Sequence, residues 1–193
     1  MKLSCRCGQV QGEIAPHRAY ARATCYCRDC RAYARWLGSE GLVDAAGGTD
    51  IVPMAPDGLR FTRGTEHLAC MSLSPRGLLR WYAACCRMPL GNTPNDPGLF
   101  YLGVPVPCIA EPAETVDAAF GPAHHIVLNT ESATGPVKST PLAFAIGGFH
   151  IFRHIIAAKL RGRRNRTFFD DSGRPIREPA VLDKALRETL TNG

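Results

Sequence analysis

Seven of the nine cysteines lie in three short stretches, and thiols at such spacings are candidate metal ligands. The stretches are Cys5-Arg-Cys7, Cys25-Tyr-Cys27-Arg-Asp-Cys30 and Cys85-Cys86. Cysteines separated by one or two residues are typical of zinc sites, where each thiolate sulfur lies about 2.3 Å from the ion and four ligands form a tetrahedron. The pattern predicts two clusters, one of them closed and structural and one able to do chemistry.

The central triplet, Cys25, Cys27 and Cys30, supplies three ligands within a few residues of each other. One coordination position is then left for water, a substrate thiol or a fourth protein group. His67 and His17 are the candidates for such a fourth ligand. Two hypotheses follow: an open catalytic zinc site, or a zinc-stabilised binding module without catalysis.

Cys5 and Cys7 supply only two ligands, so their site needs others from a distant part of the chain. Cys85 and Cys86 are the natural source, although neighbours in an extended strand point to opposite faces and reach one ion only if the backbone bends. Cys70 is another candidate. The alternative for every cysteine is a reduced, buried thiol that packs as a small hydrophobe.

Length and composition indicate a folded protein whose core does not depend on metal or disulfide staples. The chain has 193 residues, of which 45% are hydrophobic, and a formal net charge of +6. The charge gives a weak bias towards anionic partners. The N-terminus lacks the apolar stretch of a secretory signal, so we expect a cytoplasmic, reducing location in which the cysteines stay thiols.

Residues 1–110 are predicted to form a β domain of short strands joined by turns. The clearest strand patterns are 59–62, 67–73 and 77–84, which are separated by turn sequences at hairpin distances. They predict an antiparallel meander that ends at Cys85.

Residues 111–193 are predicted to form a C-terminal extension packed on the first region. A helix is expected near 142–160, with Thr140 as its N-cap and Gly162 as its stop, and a short amphipathic helix near 180–190.

The helix near 142–160 is unusually apolar for a surface helix. Residues 139–152 carry no formal charge, but a membrane span needs about 18 or more such residues and Arg153 and Lys159 interrupt any extension. We expect no membrane span and a helix that docks on the sheet or lies between subunits of a homo-oligomer. Membrane-surface binding is the less favoured alternative. The basic run at 159–166 is interpreted as a solvated helix end, so no nucleic acid partner is expected.

The order and spacing of these motifs resemble the glutathione-dependent formaldehyde-activating enzymes, a family that also includes a centromere-associated protein. The resemblance covers residues 5–92 and suggests a divergent branch with a C-terminal helical extension. The matching motifs are Cys5-x-Cys7-Gly8, then Cys25-x-Cys27-x-x-Cys30, and Cys86 followed by Arg-Met-Pro-Leu90. The fold implied by the resemblance is mainly β: a zinc-binding antiparallel β-fold of the β-tent type with C-terminal helices.

The resemblance also implies roles for individual cysteines. In the family, the first pair joins a late Cys-x-x-Cys to bind structural zinc, while the triplet binds catalytic zinc. This chain departs from the pattern at Ala83, where the first cysteine of the late motif is expected. Cys85 is one candidate replacement and Cys70 another; the third alternative is a vacant structural site. The predicted metal ligands are therefore Cys5, Cys7, Cys25, Cys27, Cys30, Cys85 and Cys86, for one or two Zn²⁺ ions, with Cys25, Cys27 and Cys30 catalytic.

The activity implied by the resemblance is that of a carbon–sulfur lyase. Such an enzyme adds a small thiol, glutathione, to an aldehyde such as formaldehyde, giving S-hydroxymethylglutathione. Arg28, Arg31 and Arg35 lie close to the triplet in sequence and are candidates for binding the glutathione carboxylates. A solvated basic face is the alternative for each of them. Asp29 could orient a ligand or simply form a turn.

Overall fold

The computed structural model describes residues 1–192, in which the chain forms eleven β-strands and four α-helices. The strands are β1 (Lys2–Ser4), β2 (Gln11–Ile14), β3 (Ala23–Cys25), β4 (Thr49–Met54), β5 (Leu59–Arg63), β6 (Leu68–Ser72), β7 (Leu79–Ala83), β8 (Met88–Thr93), β9 (Leu102–Pro105), β10 (Val127–Leu128) and β11 (Ala180–Val181). The helices are α1 (Arg28–Leu37), α2 (Ala113–Phe120), α3 (Pro141–Leu160) and α4 (Lys184–Asn192).

The strands form two sheets of different size. The small sheet has the order β1-β2-β5, and the large sheet has the order β10-β3-β4-β9-β8-β7-β6-β11. Neighbouring strands are antiparallel except at the two edges of the large sheet, where β10 runs parallel to β3 and β11 runs parallel to β6. Both edge strands come from the C-terminal third of the chain, which therefore completes the sheet at both ends.

One hydrophobic core unites the two sheets with the C-terminal third. Every residue of β8 and β9 is buried, as expected for central strands covered on both faces. Trp81 of β7 lies at the centre of the core, and its ring centroid is 4.7 Å from that of Phe168. The Phe168 side chain is fully buried. Residues on either side of position 110 thus share this core.

The predicted β-fold with C-terminal helices is confirmed in this coarser form. The stricter description, mainly β and antiparallel, is too narrow, because the helices hold about as many residues as the strands and the edge pairs are parallel. The predicted meander is also wrong at its start: β5 pairs with β2 in the small sheet, and the meander consists of β6, β7 and β8.

In the structure α3 has Thr140 at its N-cap position and Pro141 as its first residue, as predicted, whereas the segment predicted as a helix from residue 180 begins its helix later. The Thr140 hydroxyl does not cap α3, because it accepts a hydrogen bond from the Val127 backbone N–H at 2.9 Å and ties the helix start to β10. The segment predicted as a helix from residue 180 first forms β11. The Asp183 carboxylate then accepts from the Leu186 backbone N–H at 2.8 Å, as an N-cap residue does.

Candidate metal centres

The structure brings Cys5, Cys7, Cys85 and Cys86 together into one group, the four-cysteine cluster. All four sulfur atoms lie within 4.8 Å of one another. The Cys5 and Cys7 sulfurs are 3.5 Å apart, and the Cys85 sulfur is 3.9 Å from that of Cys5 and 3.3 Å from that of Cys7. Cys5 is buried and Cys7 and Cys85 are exposed, so the cluster lies at the protein surface.

A tight turn delivers both Cys85 and Cys86 to this cluster. Strand β7 ends at Ala83, and the carbonyl of Ala83 accepts hydrogen bonds from the backbone N–H groups of Cys86 and Arg87. Arg87 has a positive φ of 57°, which is costly for a residue with a side chain. Its guanidinium donates to the backbone carbonyls of Leu37 and Trp36, which holds the turn in place. Because the backbone is not extended here, neighbouring side chains can reach the same point.

The N-terminal half of the four-cysteine cluster is shaped by a second turn. Gly8, with a φ of 74°, donates its backbone N–H to the Cys5 carbonyl at 2.9 Å, and Val10 donates to the Cys5 sulfur at 3.3 Å. A hydrogen bond from the backbone of Gln9, together with one from Cys85, lowers the pKa of Cys7 to about 7. The turn therefore favours a thiolate, the form that binds metal.

Cys70, the alternative fourth ligand, lies outside the cluster. It is buried in the core on β6, and burial raises the pKa of its thiol to about 12. A protonated thiol surrounded by apolar side chains behaves as a small hydrophobe. Among residues 1–192 it is Cys85, and not Cys70, that supplies the fourth cysteine of the cluster in place of the one expected at position 83.

The structure also brings Cys25, Cys27 and Cys30 together, here called the three-cysteine cluster. Their sulfur atoms lie within 4.8 Å of one another. Cys25 ends β3, Cys27 is the N-cap of α1, and Cys30 lies in the first turn of α1. The Cys27 sulfur accepts a hydrogen bond from the Cys30 backbone N–H at 3.4 Å. A helix N-terminus stabilises negative charge, so its position favours thiolates.

Asn129 supplies a further contact to this cluster from the C-terminal third. Its side-chain amide donates to the Cys25 sulfur at 3.3 Å, and its backbone has a positive φ of 55°. Hydrogen bonds from the Cys27 and Cys30 thiols, with a smaller contribution from Asn129, lower the pKa of Cys25 far below the usual value for a thiol. Hydrogen bonds from the Cys30 thiol to the sulfurs of Cys25 and Cys27 raise the pKa of Cys30.

Within the part of the chain that the structure describes, no fourth histidine, cysteine or carboxylate joins the three-cysteine cluster. The two histidines considered as fourth ligands lie elsewhere. His67 is close to Glu66, with 3.7 Å between the ring nitrogen and the carboxylate, and His17 lines a cleft beside His154. The cluster therefore offers three protein ligands.

A small cavity beside Cys30 contains polar groups that have no partner. Its volume is about 10 Å³, roughly the space that one water molecule needs. Arg80, Thr49 and Asn92 line it together with Cys30. The Thr49 hydroxyl and the side-chain amide oxygen of Asn92 are buried and form no hydrogen bond with any described residue. Unpaired buried polar atoms are uncommon and often mark a place for a ligand or an ordered water.

Arg80 is the unusual member of this cavity lining. The residue is only 3% exposed, and among residues 1–192 its guanidinium has no carboxylate partner. It lies over the Tyr33 ring, with 5.0 Å between the guanidinium carbon and the ring centroid. A buried cation without a counter-ion is costly. The attraction between this cation and a thiolate at Cys30 reduces that cost, and it opposes the hydrogen bonds that raise the pKa of Cys30.

The arginines predicted to bind carboxylates have different surroundings. Arg31 donates to the backbone carbonyls of Tyr26 and Ser132, and Arg35 donates to the carbonyl of Leu190 at 2.7 Å. Both thus tie elements together. Arg28 is exposed at the start of α1 and is the member of the three that remains accessible for an anionic ligand. Asp29 occupies the first turn of α1, where a carboxylate favours the helix dipole.

Sequence reasoning missed Arg80, Thr49, Asn92 and Asn129. Arg80 sits in a strand otherwise rich in apolar residues, and a charge at such a position was the one available signal. Thr49, Asn92 and Asn129 carry no distinguishing spacing. Thr49 reaches the three-cysteine cluster because β4 pairs with β3, and Asn129 because β10 pairs with β3. Asn92 is placed by the pairing of β8 with β9. A single sequence does not reveal these pairings.

The donor atoms of both clusters suit zinc. Tetrahedral coordination at 2.3 Å per thiolate places sulfur atoms about 3.8 Å apart. The distances from Cys5 and Cys7 to Cys85 and to each other, 3.3–3.9 Å, are close to this value. All-sulfur sets of three or four ligands select soft or borderline metals, among which zinc prefers a tetrahedron.

Comparison with other proteins identifies a family but no activity. No match was found among the curated proteins. A Rhodobacter sphaeroides protein of known crystal structure is 22% identical to the chain, with a TM-score of 0.43, and the match covers 64% of this chain and 99% of that chain. A family profile matches residues 1–178, and the chain accordingly belongs to a family of unknown function, DUF6151.

Proposed function

We propose that the protein is a zinc-dependent carbon–sulfur lyase that adds a small thiol to an aldehyde at the three-cysteine cluster. The observation that carries the proposal is the combination of three converging thiols, without a fourth protein ligand among residues 1–192, and a small, mostly apolar cavity beside Cys30 that Arg80 and Thr49 also line. A site of this type can hold a metal and still admit a substrate. The four-cysteine cluster is proposed to bind a second zinc ion with a purely structural role.

The role of each group follows from its position. Cys25, Cys27 and Cys30 would hold the zinc ion, which would supply a Lewis acid and lower the pKa of a bound thiol. The Asn129 amide, 3.3 Å from the Cys25 sulfur, would fix the orientation of that ligand. Arg28 is exposed and directly follows Cys27 in the chain, so it is the candidate to bind the carboxylates of an anionic thiol such as glutathione.

Arg80 is proposed to act on the aldehyde. The cavity that it lines is small enough to favour a one-carbon aldehyde such as formaldehyde over larger ones. A carbonyl oxygen accepts hydrogen bonds, and a buried guanidinium is a strong donor that stabilises charge developing on that oxygen. The Thr49 hydroxyl, which has no partner, is a second donor for the same oxygen.

The reaction is balanced without an oxidant or a reductant. The thiol sulfur forms a bond to the carbonyl carbon, the carbon–oxygen double bond becomes a single bond, and the proton lost by the thiol ends on the oxygen. With glutathione and formaldehyde the product is S-hydroxymethylglutathione. Because the proton passes from sulfur to oxygen, the site needs no further co-substrate.

Metal analysis of the intact protein tests the zinc part of the proposal. Protein purified without chelator is expected to contain between one and two zinc ions, and replacement of Cys25, Cys27 and Cys30 by serine is expected to remove one of them. The control variant is Cys70→Ala, which removes a buried thiol outside both clusters. Wild-type protein without stoichiometric zinc would contradict the proposal.

A kinetic assay tests the activity separately. Zinc-loaded protein is expected to accelerate the consumption of formaldehyde in the presence of glutathione. If neither glutathione nor another small thiol raises the rate above the uncatalysed one, while zinc is present, the alternative of a zinc-stabilised binding module replaces the enzyme.

A further inference from the structure

Helix α3 presents an apolar face to solvent along its whole length. Seven large apolar side chains on this helix are exposed by 39% or more: Leu142, Phe144, Ile146, Phe149, Phe152, Ile156 and Leu160. The residues at 142, 146, 149, 156 and 160 follow one another at helical intervals on the same side. Monomeric soluble proteins rarely expose contiguous apolar surface on this scale, and such patches mark interaction sites.

The opposite face of α3 is attached to the protein body. The His150 ring nitrogen Nδ1 lies 2.8 Å from the Tyr20 backbone carbonyl, and the His154 ring stacks on the Tyr20 ring at 4.9 Å. Gly147 is buried, and a side chain there would collide with Ile126. The expected docking on the body thus involves one face of the helix. The face that carries Ile146 and Phe149 stays exposed and forms one wall of an open cleft beside Phe120 and His125.

By length and composition α3 could also cross a membrane. Only 11% of its most apolar 18-residue stretch is buried in the protein. Crossing would require the helix to leave the body, which would break the His150 and His154 contacts and place both imidazoles in lipid. Polar groups in the hydrocarbon region are expensive. A helix that stays attached by one face and exposes an apolar opposite face is suited to lying on a surface.

Basic side chains lie within the apolar face, at Arg153, and beyond its C-terminal end, and acidic ones are absent from this part of the chain. No aspartate or glutamate occurs between Glu131 and Asp170. Among residues 1–192 the following cations of α3 and the segment after it form no ion pair: Arg153, Lys159, Arg161 and Arg164. Long basic side chains can extend from an apolar surface towards phosphate groups while their stems remain in contact with it.

We propose that α3 binds the surface of a membrane containing anionic phospholipids. The outer face, led by Ile146 and Phe149, inserts between the acyl chains near the headgroups. Arg153 and Lys159 contact lipid phosphates. This combination of an apolar helix face and neighbouring cations is the one that holds interfacial helices on anionic bilayers.

The position of Arg153 distinguishes a membrane from a second copy of the chain. Arg153 lies on the same helical side as Ile146 and Phe149, near the middle of the apolar face, and is exposed. In a symmetric dimer of α3 helices, this guanidinium would be buried against apolar side chains or against its own copy, without an acid to pair with. An unpaired buried charge is strongly destabilising. At a membrane surface the same side chain reaches the phosphates.

Co-sedimentation with vesicles tests the proposal on the whole 193-residue chain, purified without chelator. Vesicles of phosphatidylglycerol mixed with phosphatidylcholine are expected to bind the wild type, and pure phosphatidylcholine vesicles to bind it much less. The double variant Ile146→Ser/Phe149→Ser is expected to bind about tenfold more weakly or worse, because two exposed apolar anchors are lost. Higher salt should weaken binding of the wild type.

The control variant is Leu78→Ser, which removes an apolar side chain that is 45% exposed elsewhere on the surface. It should bind vesicles as the wild type does, and circular dichroism should show that all variants are folded. Equal binding of neutral and anionic vesicles, or full binding by the double variant, would overturn the proposal. So would a wild-type dimer that ignores vesicles and becomes monomeric in the double variant, because a second copy would then cover the face.

Discussion

The two cysteine clusters differ in how their ligands are supplied and in what surrounds them. The four-cysteine cluster joins two turns that lie far apart in sequence. It offers four sulfur atoms, which is the full number of ligands for a tetrahedral ion. The three-cysteine cluster is built from one strand end and one helix start, and it faces a cavity lined by Arg80. Under the proposed function, the cluster assembled from distant segments has the structural role, and the locally assembled cluster keeps a coordination position for a substrate.

The largest expected difference concerns stability, and it is tested by comparing Cys85→Ser with Cys27→Ser. Cys85 is exposed, and an exposed substitution normally changes the free energy of unfolding by less than about 0.5 kcal/mol. As a ligand that links distant turns, Cys85 is expected to contribute about 3 kcal/mol or more. Cys27→Ser should cost clearly less, because its neighbours in sequence are already held by α1.

Chemical denaturation of the zinc-loaded variants, with zinc content measured in parallel, supplies both quantities. An unfolding free energy for Cys85→Ser that matches the wild type would remove Cys85 from the ligand set. Equal losses in the two variants would remove the distinction between a structural and an open site.

The next largest effect is expected for Arg80→Met, which sharpens the catalytic side of the comparison. Methionine retains much of the side-chain volume but removes the guanidinium that would face the carbonyl oxygen. Loss of one such donor commonly lowers catalytic efficiency by about 100-fold. We therefore expect kcat/KM for formaldehyde to fall by about that factor while zinc content stays unchanged.

Arg76→Met is the matched control for this variant, since Arg76 is an exposed arginine in the turn before the same strand. Steady-state kinetics of both variants, with Arg80→Lys as a partial rescue, give the comparison. Unchanged kcat/KM in a zinc-loaded Arg80→Met protein would exclude the proposed contact with the aldehyde.

The smallest expected effect is a difference in the rate at which the two clusters release zinc to a chelator. A chelator can bind at an open coordination position before the protein ligands leave, whereas a site with four thiolates offers no such position. Release monitored by a coloured chelator should show two phases that differ by about tenfold or more in rate. The Cys25→Ser/Cys27→Ser/Cys30→Ser variant should lack the fast phase; a single phase in the wild type would mean that both sites are closed.

The members of the two cysteine clusters could be predicted from the sequence because cysteines at short spacings lie close together in most local conformations. The grouping of Cys5 and Cys7 with Cys85 and Cys86 required only that a turn follow β7, and the turn at Ala83 provides it. The start of α1 is not announced by the sequence. The reason is that a cysteine, Cys27, acts as its N-cap, whereas serine, threonine, aspartate and asparagine are the residues that normally announce a helix start.

The surroundings of the clusters could not be predicted because they depend on strand order. Thr49 and Asn129 reach the triplet only because β4 and β10 flank β3, and strand neighbours of this kind are separated by many residues. The edge strand β11 could not be predicted for the same reason. Its segment has the spacing of an amphipathic helix, and only its pairing with the distant strand β6 makes it a strand. Long-range pairing overrides local preference at these points.

The bond from Asn129 to Cys25 has a consequence for the order in which the protein is completed on the ribosome. The four-cysteine cluster has all its ligands once Cys86 has emerged, so it can close while the chain is still being made. Cys25 must wait for Asn129, which lies 104 residues further along the chain. Since folding during synthesis proceeds from the N-terminal end, the nascent chain can assemble the four-cysteine cluster before the three-cysteine cluster gains its contact with Asn129.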